Sequence, residues 1–83
     1  MKTKEFVDKV NDMGYDVLIS PIDIEVESPV GNTLLIVQKR NQYVVSTEWS
    51  SFESLEDEIQ AELFGIAVEY ASTKPEEREV GSL

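Results

Sequence analysis

The sequence predicts an α+β fold with an N-terminal helix, a three- to four-stranded antiparallel meander and a C-terminal helix packed on the sheet. Two changes of hydrophobic period predict it. Apolar residues recur with a helical period over residues 3–13, alternate with a period of two over 15–47, and return to the helical period over 55–72. Turn-forming residues then divide the middle section into short runs that join in order.

Phe6, Val7, Val10 and Met13 fall at i, i+1, i+4 and i+7, one face of an amphipathic helix. Thr3 can cap its start, and Gly14 can end it in the left-handed conformation. At about three turns the helix needs packing to persist. In the next segment Tyr15, Val17 and Ile19 alternate with Asp16 and Leu18 before Ser20-Pro21 interrupts. Ile22, Ile24 and Val26 alternate strictly with Asp23, Glu25 and Glu27, the pattern of a strand with one wet face. Residues 28–32, Ser-Pro-Val-Gly-Asn, form a turn with Gly31 and Asn32 available for positive φ. Thr33 to Gln38 reads as a central strand, Lys39 to Gln42 as a hairpin loop, and Tyr43 to Thr47 as the last strand.

A connector carrying Trp49 and Phe52 leads to Ser54, which reads as a helix cap with Asp57 in a capping-box position. The helix is expected from Leu55 to about Ser72, stopping before Pro75. Leu55, Ile59, Leu63, Ile66, Ala67 and Tyr70 share about one third of its circumference, and that face must cover the sheet. Residues 1–74 therefore read as one domain and 75–83 as a flexible tail, with Gly81-Ser82-Leu83 consistent with a cloning remnant.

The 83 residues include 17 acids against 7 bases, no Cys and no His, for a net charge of −10. Disulfides, thiolate nucleophiles, zinc fingers, His-based triads and imidazole ligands are excluded. The four glycines stand apart, so no phosphate loop exists, and Asp23-Ile24-Glu25-Val26-Glu27 lacks the spacing and turn glycine of a calcium loop. No cofactor site, dedicated metal site or catalytic residue is indicated, and the expectation is a protein that is not an enzyme. The longest apolar run, Leu34–Val37, is far short of a membrane span, and Met1–Lys4 opens directly into charged sequence. A cytoplasmic protein follows as the default. The acidity repels phosphate backbones and acidic headgroups, so neither nucleic acid nor membrane is the expected ligand.

Residues 1–47 carry 7 acids and 5 bases, whereas residues 48–83 carry 10 acids and 2 bases. On the C-terminal helix Glu58, Glu62 and Glu69 lie within ~40° of one another, one stripe beside the buried face. On the strand, Asp23, Glu25 and Glu27 stand about 6.6–6.8 Å apart, close to the spacing of successive phosphates along a nucleic-acid strand. Both rows can be solvated faces, or can imitate a phosphate backbone and enter a basic groove on another protein. Phe64, Val68 and Ala71 repeat at i, i+4 and i+7 on the side roughly opposite the core stripe, where the first helix, a second copy or a partner must cover them. Trp49 either plugs the corner between sheet and helix or anchors an interface.

Three stretches carry a resemblance. Glu62-Leu63-Phe64, Glu69 to Thr73 with Pro75 to Arg78, and the opening Lys4 to Val7 through Met13 to Tyr15 with Gln42-Tyr43-Val44 resemble small proteins encoded by phages and prophages of low-GC Gram-positive bacteria. Lys74 departs from that pattern by separating Thr73 from Pro75, and the tail is shorter than the basic one of some relatives. An acidic protein of this size with helix, sheet and helix also resembles some type II anti-CRISPR proteins. The resemblance implies an inhibitor of a host DNA-binding or CRISPR effector protein whose carboxylates occupy the groove that reads duplex DNA. The partner-binding candidates are Asp23, Glu25, Glu27, Glu58, Glu62, Glu69, Trp49, Phe64 and Val68. The alternative is a small structural or accessory phage protein that acts as a homodimer.

Overall fold

A computed structural model describes residues 1–78. There the chain forms α1 (Thr3–Asp12), β1 (Asp16–Ile19), β2 (Asp23–Glu27), β3 (Thr33–Gln38), β4 (Val45–Ser46), α2 (Ser50–Glu53), α3 (Asp57–Ser72) and α4 (Pro75–Arg78). The four strands form one antiparallel sheet in the order β1-β2-β3-β4, the expected meander. Gly14 at φ +92° ends α1, and Gly31 at φ +90° turns β2 into β3.

The register explains which side of the sheet is covered. Val17 faces Val26, and Ile24 and Val26 face Val37 and Leu35, so these side chains share one face. Phe6 and Val10 of α1, together with Leu63, Ala67, Tyr70 and Ala71 of α3, close over them as a single core. α1 packs against α3 and β1, and α3 against β3 and β4. A bulge, in which Glu27 pairs with Thr33 but Val26 with Leu35, allows the adjacent Leu34 and Leu35 both to be buried.

Tertiary contacts override the local expectation at several points. Thr3 is not the cap of α1. Lys2 holds that position, and the Thr3 hydroxyl lies inside the core, 2.6 Å from the Tyr70 hydroxyl. Ser54 does not cap the long helix either. Residues 50–53 coil into their own turn to bury Phe52, and Ser54 Oγ donates to the Ser50 carbonyl at 2.9 Å. α3 therefore starts at Asp57, and the Gln60 side-chain amide bridges the two helices by donating to the carbonyls of Phe52 and Glu53. The last strand shrinks to two residues because Tyr43 takes φ +66° and donates its N–H to the Ala71 carbonyl at 2.8 Å. Ala71, expected beside Phe64 and Val68 on an open stripe, is buried.

The largest correction concerns the tail. Residues 75–78 do not trail from the domain but form α4, and Arg78 is buried. The guanidinium of Arg78 has five N–H donors, and five backbone carbonyls receive them. Nε donates to Thr73 at 2.9 Å, one terminal nitrogen to Gln38 and Lys39 at 2.9 and 3.1 Å, and the other to Asn41 and Ala71 at 3.3 and 3.0 Å. Its carbon sits 4.7 Å above the Tyr70 ring, and that ring stacks on Phe6 with centroids 4.6 Å apart. A residue that reads as one more tail charge thus belongs to the core, while the rest of the expected tail, 79–83, lies outside the described residues.

Replacing Arg78 with Ala takes its donors from the partly buried carbonyls of Gln38, Lys39, Asn41 and Thr73 and its stacked group from Tyr70, so Arg78→Ala is expected to lower stability by about 3 kcal/mol or more. Arg78→Lys recovers only part of this, because an ammonium cannot reproduce the planar fork. Urea unfolding of the two variants checks both expectations.

Candidate functional site

The sheet has a covered face and an open one. Ile24 and Val26 are buried toward the helices, so Asp23, Glu25 and Glu27 stand on the opposite face, which none of the described helices covers. The register completes this surface. Asp16 pairs with Glu27, Leu18 and Ile36 flank Glu25 on either side, and Gln38 pairs with Asp23. A line of three carboxylates therefore runs down the middle of the open face, with a fourth beside its Glu27 end.

Two of these carboxylates are held in place. Thr33 Oγ1 donates to Glu25 at 2.5 Å, and Ser20 Oγ lies 3.0 Å from an Asp23 carboxylate oxygen while accepting the Asp23 N–H at 3.0 Å. Glu27 is the strained member. Loss of water around it pushes its carboxyl above the ordinary glutamate range, and a hydrogen bond with Glu25 and the charges of Glu25 and Asp16 add to the shift. Among the described residues the ion pair is Lys4 with Asp8, on α1, so no base neutralises the line of acids.

The helical acids do not join this surface. Glu58, Glu62 and Glu69 are exposed on the outer side of α3, and the core and the sheet separate them from the β2 row. The six carboxylates thus form two acidic surfaces facing away from each other. Phe64 and Val68 remain 44% and 42% exposed on α3, beside Gly65, where an added Cβ would meet nothing within 4 Å. Among the described residues no internal packing explains that glycine. Trp49 is partly exposed and caps α2 with its backbone, its carbonyl accepting the N–H groups of Phe52 and Glu53, while Phe52 fills the corner.

Sequence reasoning missed Asp16, Leu18 and Ile36 as members of the site. The alternation through β1 already placed Asp16 and Leu18 on one side, but only the pairing of β1 and β3 with β2 brings all three beside the acids. Among the described residues no group of acidic side chains is arranged to hold a metal ion, and no helix is long and apolar enough to cross a membrane.

No family model, curated protein or solved structure matches the chain.

The Glu27 shift sets a pH dependence. Its carboxyl binds a proton more tightly in the folded chain than in the unfolded one, so this group's contribution to stability falls as pH rises through and above 4.5. Glu27→Gln is expected to abolish that fall and to raise the urea midpoint at neutral pH relative to the parent, with the two chains converging in acid.

Proposed function

We propose that the protein is a non-catalytic acidic module whose open sheet face occupies a basic, phosphate-gripping surface on a partner protein, as a nucleic-acid mimic does. One observation carries this reading: the three β2 carboxylates stand in line on an uncovered face, at a spacing near that of successive phosphates and, among the described residues, with no cation paired to them. Like charges so placed contribute nothing to sheet stability and repel one another. A partner's arginines would relieve that repulsion, because guanidinium groups that grip phosphates also grip carboxylates. The resemblance to phage and anti-CRISPR proteins makes a host DNA-binding protein, and first a CRISPR nuclease, the partner to test. Action in the host cytoplasm belongs to the same reading.

Cleavage of DNA by a guide-loaded type II CRISPR nuclease tests it. Inhibition is expected and should weaken as salt rises. The double variant Glu25→Lys with Glu27→Lys should lose inhibition at least about tenfold, whereas Glu58→Lys with Glu62→Lys should retain it. Equal loss in both variants would mean that net charge rather than the sheet face is recognised. Absence of both inhibition and complex at low salt would remove this nuclease as the partner.

A second reading, the homodimer, draws on the exposed Phe64 and Val68. It predicts an association nearly insensitive to salt that Phe64→Asp converts to monomer, measured by light scattering after gel filtration.

A further inference from the structure

The two edges of the sheet are treated differently. At one edge β4 spans two residues, and the segment before it is fastened to the end of α3 by the Tyr43 N–H and by the Gln42 side chain, which donates to the Ser72 carbonyl at 2.6 Å. β1 forms the other edge. The Ser20 N–H donates to the Asp23 carbonyl at 2.9 Å, and this fixes the phase of the ladder. Asp16 and Leu18 then exchange hydrogen bonds with Glu27 and Glu25, while Val17 and Ile19 turn their N–H and C=O groups outward. Among the described residues no other group of the chain meets those outward groups. Exposed aliphatic side chains gather at the same margin, with Leu18 at 51%, Ile19 at 54% and Ile22 at 62% exposure.

Natural sheets blunt such edges with charge, bulges or proline. Here Pro21 ends the usable edge after Ser20, and Asp16 puts one acid on the strand, but Val17 to Ile19 is an uninterrupted aliphatic edge. We propose that β1 receives an extended segment of the basic partner as a fifth strand of the sheet, its side chains alternating between basic and aliphatic. On the open face the added residue opposite Asp16 joins the row that Asp16 makes with Glu27, so a Lys or Arg there reaches both carboxylates while its stem lies along Leu18. On the other face an aliphatic residue covers Ile19. A second copy of the chain is the poorer occupant, because pairing β1 with β1 brings two acidic faces, each on a chain of net charge −10, into one continuous surface. Main-chain pairing supplies the part of the binding that salt does not screen, and the acids select the partner. This inference rests on the basic-partner reading above and names the partner element that the open face and its edge accept.

A ten-residue peptide of alternating Lys and Val, titrated into the isotopically labelled full chain at low salt, tests it by amide hydrogen exchange. The Val17 and Ile19 amides are expected to slow at least about tenfold on binding, while Leu18, already bonded inward, changes little. Ile19→Pro removes an outward N–H and no inward one, so it should weaken peptide binding at least about tenfold, whereas Ile19→Val, which keeps both the N–H and a β-branched aliphatic side chain, should bind as the parent does. If Ile19→Pro does not fold, the exchange measurement on the parent chain decides. Peptide binding without protection of Val17 and Ile19 overturns the added strand and leaves the acidic-face reading standing. Failure of the peptide to bind, while Glu25- and Glu27-dependent inhibition of the nuclease persists, also overturns it. So does protection of these amides without peptide in a self-associated chain. Absence of peptide binding together with absence of nuclease inhibition overturns the added strand and removes this nuclease as the partner.

Discussion

The buried guanidinium of Arg78 is the point on which the rest of the structure depends. An uncompensated cation in a core costs several kcal/mol, and among the described residues no carboxylate is paired with it. Five carbonyl dipoles and the face of Tyr70 take that place. The carbonyls come from the end of β3, the loop after it and the end of α3, three segments that need donors. A helix leaves its last carbonyls without intrahelical partners and favours positive charge there. α3 has no base in its last turn, so Arg78, Tyr43 and Gln42 do that work from outside the helix.

Tyr70 carries the constraint to the other end of the chain. Its ring lies between Arg78 and Phe6, its hydroxyl meets Thr3, and the amino group of Met1 donates to Thr73 at 2.7 Å. The first helix, too short to persist alone, is held where the last long helix ends. With both helices committed to one face, a chain of 83 residues has no further described element to cover the other. The open sheet face is thus a consequence of size and of where the two helices meet. Its acids keep that uncovered face wet.

In the proposed reading that arrangement acts through geometry more than through charge total. Ten excess acids spread evenly would make a soluble protein and little else. Three of them fixed in line on a twisted sheet, one held by Thr33 and another by Ser20, form a pattern that a flexible acidic tail cannot present. The acids of α3 face away, so the two rows do not form one continuous surface.

The strict alternation from Ile22 to Glu27 determined which residues of β2 are wet, because successive strand side chains point to opposite faces. The same rule made a meander of three or four strands legible, with the fourth settled only by its pairing to β3, and Gly14 and Gly31 marked their turns because positive φ is costly for other residues. Phe64 and Val68 were legible as an apolar pair opposite the core stripe, from a fixed angle per residue on a helix. That the first helix leaves them exposed was decided by the packing. Other features were not legible locally. Thr3 and Ser54 have the chemistry of helix caps, but packing assigned the first to a partner 67 positions away in the core and the second to the end of another helix. Ala71 and Arg78 look like surface and tail until the loop after β3 folds back over them. Local pattern determined α1, the meander and the long α3 and which side of each is apolar, since those depend on neighbours along the chain. The short α2 and α4 instead form around the burial of Phe52 and Arg78. Tertiary structure decided the register that gathers Asp16, Leu18 and Ile36 around Glu25 and the burial of Arg78, since those depend on contacts between residues far apart in sequence.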